Sequence, residues 1–210
     1  MKKVLFAVLA VNLWLTSLTV VRAEQAIPLS PKDVHPLTVG AQVPDGPLMT
    51  LQGKKVHLAA LLSQKPAVLI FYRGGWCPYC NLQMGQLVKV EPELKKMGYQ
   101  VLAISPDKPQ KLRESLQKHQ INYTLLSDRT MELTGKFGLA YRVGQEQLMT
   151  LQKYGKDLDS NTGNGLHLLP VPAAYVVDAK GIVRFVYYNP DITVRVDPNA
   201  LLKAAKEAKP

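Results

Sequence analysis

Cys77 and Cys80 are the only two cysteines in 210 residues, and they stand three apart in "RGGWCPYC", directly after the apolar run "AVLIFY". This junction restricts the fold more than any other feature of the chain. A continuous apolar run of that length reads as a strand covered on both faces, which calls for helices packed on either side of a sheet. The residues that follow open a helix. Pro78 suits its first position, because the first N–H groups of a helix are unpaired in any case. A disulfide between residues three apart closes almost no loop and removes little entropy from the unfolded chain, so the pair is nearly worthless as a staple. Placed between a strand and a helix, it is the arrangement of a redox pair.

The chemistry follows from that position. Cys77, at the helix start, meets unpaired backbone N–H groups and the positive end of the helix dipole. A thiolate there is stabilised, which lowers its pKa from about 8.5 towards the range of roughly 3.5 to 7.5. Cys80, one turn on, lies on the same side and can attack a mixed disulfide formed at Cys77. Trp76 and Tyr79 are expected to wall the pair with apolar surface. Other uses of two cysteines fit less well. A c-type haem attachment needs His after the second cysteine, and that residue is Asn81. Zinc needs two further ligands, and His35, His57, His119 and His167 are scattered singly. Two thiolates can also hold a soft metal, and His167 lies just before Val171 and Pro172, so a copper-carrying module is a lesser alternative. Gly74 and Gly75 suit a tight turn into the helix, since their spacing matches no phosphate loop. The motif implies no organic cofactor and no metal.

Residues 1–23 read as a secretory signal: "MKK", then "VLFAVLAVNLWLTSLTVV" without a charge, then Val21 and Ala23 at the spacing of a small-residue cleavage site. The alternative is an uncleaved N-terminal anchor facing the periplasm. With cleavage the protein is periplasmic and keeps no stable membrane insertion. The formal net charge of +10 stays positive after Lys2, Lys3 and Arg22 are removed. Lys108, Lys111, Arg113 and Lys118 fall in one helical segment and Lys203, Lys206 and Lys209 in another, without the aromatic interleaving of single-strand binders. They read as solvated faces, and no nucleic-acid partner is expected. With 47% hydrophobic and 20% charged residues, the remainder suits one globular domain.

Beyond a Pro-rich lead-in, "LMTLQGKKVHL" has the pattern of a hairpin. Helical spacing of Leu82, Leu87, Val90 and Leu94 gives a helix over residues 78–97, ending at Gly98. Then come "YQVLAIS" as strand, "KPQKLRESLQKHQ" as helix, "YTLLSD" as strand and "TMELTGKFG" as a short helix. The alternation predicts a largely parallel sheet. "DLDSNTGNG" reads as a polar loop, "AAYVVD" and "IVRFVYY" as a closing hairpin, and "NALLKAAKEA" as a last amphipathic helix.

The element order, "WCPYC" after a buried strand and "PVPAAYVVDAKGIVRF" near the end together resemble the peroxiredoxin-like proteins of the alkyl hydroperoxide reductase and thiol-specific antioxidant (AhpC/TSA) family. The likeness covers residues 37–203. It implies an α/β, thioredoxin-like fold: a central mixed sheet flanked by helices, with an N-terminal hairpin and a peroxiredoxin-type insertion. The domain spans residues 37–208, after a lead-in of 24–36. The expected enzyme is a thiol–disulfide oxidoreductase that exchanges electrons with other thiol or disulfide proteins and serves redox homeostasis or antioxidant defence. A peroxidase acting on hydroperoxides is the alternative. Read as a thioredoxin, Cys77 is the nucleophile, Cys80 resolves, Pro172 is the cis-proline facing them, and Val171 offers backbone hydrogen bonds to a substrate cysteine. Read as a peroxiredoxin, "FYRGGWCPYC" overlies that family's pattern of Pro, three residues, Thr, two residues, Cys, so Cys80 becomes peroxidatic. Arg73 then stands at the Pro, Cys77 at the Thr, and Pro172 at the family's later Arg, which leaves peroxide cleavage short of donors. Asp191 and Arg195, in "DITVR", form either a surface ion pair or a cover over the site.

Overall fold

The computed structural model describes residues 26–208. The buried run is strand β3 (Ala67–Phe71), and all five of its residues are buried. Around it lies a seven-stranded sheet in the order β2-β1-β5-β4-β3-β8-β9. The other strands are β1 (Pro47–Met49), β2 (Lys55–His57), β4 (Gln100–Ser105), β5 (Thr124–Ser127), β8 (Ala173–Val177) and β9 (Val183–Tyr188). Only β3–β4 and β4–β5 pair in parallel. The β1–β2 and β8–β9 hairpins join antiparallel at either side, so the sheet is mixed and the largely parallel expectation is corrected. Helices α2 (Pro78–Lys96) and α3 (Pro109–Lys118) each connect parallel neighbours, as crossovers must.

Strand β3 divides its side chains between two cores, because successive residues point to opposite faces. Leu69 and Phe71 join Leu102, Ile104, Leu126 and Tyr175 on one face, with Phe137 of the α4 (Glu132–Lys136) end stacked 4.7 Å from Phe71. Val68 and Ile70 join Val101, Ala103 and Leu125 on the other, under α2 and α7 (Pro198–Ala208). The buried face of α2 runs through Cys80, Met84, Leu87 and Leu94. That stripe includes the second cysteine and leaves Leu82, read above as part of the apolar face, 63% exposed.

The segment between α4 and β8 forms its own structure. Strands β6 (Ala140–Arg142) and β7 (Leu168–Pro170) pair antiparallel in a separate ribbon, and between them lie α5 (Gln145–Lys153) and α6 (Leu158–Thr162). The polar loop expected over "DLDSNTGNG" is therefore partly helical. Asp157 caps α6 by accepting from the Asp159 N–H, Leu158 and Thr162 are buried, and Gly163 ends the turn at φ 64°. A short α1 (Leu58–Leu62) follows β2. The proposed signal, residues 1–23, lies outside the described residues. Among those described, no helix is long and apolar enough to cross a membrane.

Candidate active site

The site lies beyond the carboxyl ends of the parallel strands β3 and β4, where open α/β sheets commonly place their chemistry. Cys77 caps helix α2 with extended dihedrals, and Pro78 opens the helix. The Cys77 N–H donates to Gly74 O at 3.1 Å, which closes the turn between strand and helix. Gly74 adopts φ 139°, a conformation side chains resist, so a glycine is required there. Gly75 donates its N–H to Asp107 Oδ2 at 2.7 Å, and its carbonyl accepts from Asn81 Nδ2 at 2.9 Å. Lys156, between α5 and α6, reaches across to donate to Trp76 O at 2.8 Å. Three separate elements thus pin the loop that carries the pair.

Both cysteines are unpaired thiols and nearly inaccessible, at 1% and 0% exposure. Cys77 is held at a pKa of about 5, first by a hydrogen bond from the Cys80 thiol, then by the Cys80 backbone N–H and by Arg73 and Arg195, which together overcome burial. The thiol of Cys80 is pushed up, because it donates to Cys77, is itself buried and faces the Cys77 charge. The two thiols thus titrate as a pair, and both shifts favour the first negative charge on Cys77 while the proton stays on Cys80.

Arg73 is buried beside the pair, its guanidinium 4.9 Å from the Trp76 ring centre and close to Tyr141. Trp76 packs against both cores. Tyr79 is 42% exposed, so only Trp76 walls the pair. Arg195 brings Nη2 to 3.7 Å from Cys80 Sγ. Of the two alternatives for Arg195, a surface ion pair with Asp191 or a cover over the site, this contact fits the second, and Asp191 accepts from the Thr193 N–H and hydroxyl at 2.9 and 2.8 Å.

Other expected roles are corrected. Among the described residues no peptide bond is cis, so Pro172 is not a cis-proline. The Val171 N–H already donates to Leu139 O at 2.9 Å, continuing the β6–β7 ladder, so that donor is not free for a substrate. His167 pairs with Asp159 at 3.0 Å, and no group of three His, Cys, Asp or Glu among the described residues could hold a metal. The copper reading thus loses His167 and is left with the two thiols alone. Sequence reasoning missed Asp107, Tyr141 and Lys156; the only available signal for Asp107 was its place just after β4, beside the turn that leaves β3.

The sequence pattern of the AhpC/TSA family matches residues 39–186. The chain belongs to that family. Peroxiredoxin Bcp of Escherichia coli strain K12 is 32% identical over 154 residues, covering 73% of this chain and 87% of that one. The crystal structure of peroxidoxin BcpB from Mycobacterium tuberculosis superposes with a TM-score of 0.64 at 20% identity, over 83% of this chain and 99% of that one. Reduced Prx3 from Vibrio vulnificus, solved in complex with H2O2, gives 0.65 at 17% identity, over 80% and 99%. As a member of the AhpC/TSA family with a thioredoxin fold, the protein is an oxidoreductase.

Proposed function

We propose that the protein is a thiol-dependent hydroperoxide peroxidase whose cycle ends in a disulfide between Cys77 and Cys80. One observation carries this reading. A Cys77 sulfur 1% exposed, its charge favoured by the guanidinium groups of Arg73 and Arg195, suits an oxidant of a few atoms better than the disulfide of a folded partner. Arg73 and Arg195 also offer the cationic donors that peroxide cleavage needs and that the family pattern would have placed elsewhere. The relatives named as peroxiredoxins support the same chemistry.

The Cys77 thiolate attacks one peroxide oxygen. An S–O bond forms, the O–O bond breaks, and the alkoxide or hydroxide leaves with a proton from solvent. Cys77 is now a sulfenic acid. Cys80 attacks that sulfur as a thiolate, the S–S bond forms, and hydroxide departs to become water. Two thiols and one hydroperoxide have become a disulfide, an alcohol and water. A dithiol protein then returns the pair to its reduced state by exchange. This half-cycle requires the first turn of α2 to open.

A second reading starts the attack at Cys80. It is favoured by the Arg195 contact to Cys80 Sγ and by the peroxiredoxin register of "FYRGGWCPYC". Single-cysteine variants separate the two. With one equivalent of H2O2 and a sulfenic acid probe, Cys80→Ser should give the adduct at Cys77. An adduct only in Cys77→Ser would move the attack to Cys80. We further place this chemistry in the periplasm on the strength of residues 1–23, which N-terminal sequencing of the protein from that fraction would test.

A further inference from the structure

Residues 189–197 lead from β9 to α7 and pass over the cysteines. The Asn189 N–H donates to Pro172 O at 3.2 Å, and Asn189 Oδ1 accepts from the Asp191 N–H at 2.9 Å. The Val194 N–H donates to Asp191 O at 3.2 Å, and Val196 is buried. Pro172, where the family pattern has an arginine, thus anchors the segment that brings a different arginine in. Arg195 donates through Nη1 to Val194 O at 2.9 Å and through Nη2 towards Cys80 Sγ at 3.7 Å. Its Nε is buried and has no partner among the described residues.

The groups whose charge bears on Cys80 are Cys77, Tyr72 and Arg195, while Arg73 acts on it through its backbone N–H. In the reduced pair the charge on Cys77 holds the proton on Cys80. A sulfenic acid at Cys77 is neutral at the pH of the thiolate and no longer repels a second charge. The Arg195 guanidinium remains, with a donor at the Cys80 sulfur. We infer that Arg195 is a catalytic residue of the second half of the cycle: it stabilises the thiolate of Cys80 once Cys77 is oxidised, and so lets Cys80 close the disulfide. The inference rests on the peroxidase reading for its oxidant, but it concerns Cys80 whatever group is carried by Cys77.

The test uses reduced wild type, Arg195→Met and Arg195→Lys, each treated with one equivalent of H2O2 in the presence of a 1,3-diketone probe. In Arg195→Met, disulfide closure should slow by about tenfold at neutral pH, since one pKa unit on Cys80 is one factor of ten. Adduct should accumulate at Cys77. The deficit should shrink as the pH approaches the ordinary thiol value of about 8.5, and Arg195→Lys should recover most of the rate. A purely structural role would not move that pH profile. An unchanged closure rate and profile in Arg195→Met overturns the inference, as does adduct at Cys80 instead of Cys77. The same proteins are then given an aromatic disulfide, which loads Cys77 with a mixed disulfide for Cys80 to resolve. A delay there in Arg195→Met upholds the inference even if wild type leaves peroxide untouched, an outcome that would sink the peroxidase reading alone. No delay with either oxidant overturns it.

Discussion

At the scale of single residues, the site is built from charges that cannot all be satisfied at once. Asp107 is 1% exposed and shows this most directly. Burial raises its pKa from 3.8 to about 7, against the opposing pull of the Gly75 N–H and of Lys111. Between those two values the folded chain keeps a proton that the unfolded chain has lost. Its contribution to stability is complete below the unfolded value and falls as the pH rises through about 7. Asp107→Asn removes the charge and keeps an oxygen for Gly75. We expect it to match wild type near pH 4 and to gain about 1–3 kcal/mol above neutrality, several degrees of melting temperature. Parallel melting curves at acid and mildly alkaline pH check this; equal shifts at both would contradict it. The placement of Cys77, Cys80, Trp76 and Pro78 at the turn into α2 was legible because it follows from neighbours in the chain. Asp107 and Lys156 meet the loop from 32 and 80 residues away, and no local pattern announces such contacts; Arg195, read from the sequence as either a surface ion pair or a cover, reaches Cys80 from 115 residues away.

At the scale of elements, the same division holds. Strand β3 and helix α2 were readable because apolar periodicity is a local signal, and Pro78 and Gly98 punctuate the helix. The ribbon β6–β7 and helices α5 and α6 were not. Two strands of three residues carry too little period to recognise, and α6 exists because Leu158 and Thr162 find a buried seat. Yet this insertion acts on the site, because Lys156 ties it to Trp76 O and Asn161 O accepts from the Lys108 N–H at 2.9 Å. The tie should restrain the opening that reduction of the disulfide needs. Lys156→Met removes a charged hydrogen bond in a half-buried place, worth about 1.4 kcal/mol or a factor of ten. Amide exchange at Cys77 should quicken about tenfold in this variant while core strands such as β3 are unaffected. Unchanged exchange at Cys77 would show that the insertion does not hold the loop.

At the scale of the whole molecule, the sheet brings together what the chain keeps apart. Antiparallel pairing of β3 with β8 and of β8 with β9 delivers the segment after β9 to the end of β3, and with it Arg195. That residue lies beyond the family match of residues 39–186, in the "DITVR" stretch, where the wider resemblance over residues 37–203 offers a cover over the site as one of two alternatives. The account as a whole stands on one claim, that a hydroperoxide takes its electrons from both sulfurs of one chain. The decisive measurement is a titration of the reduced protein with H2O2, with peroxide, free thiols and intact mass followed together. One peroxide should consume two thiols and leave a monomer lighter by two hydrogens, its Cys77 and Cys80 joined. Peroxide that persists beside intact thiols, or thiols lost only into disulfides between chains, would contradict the account.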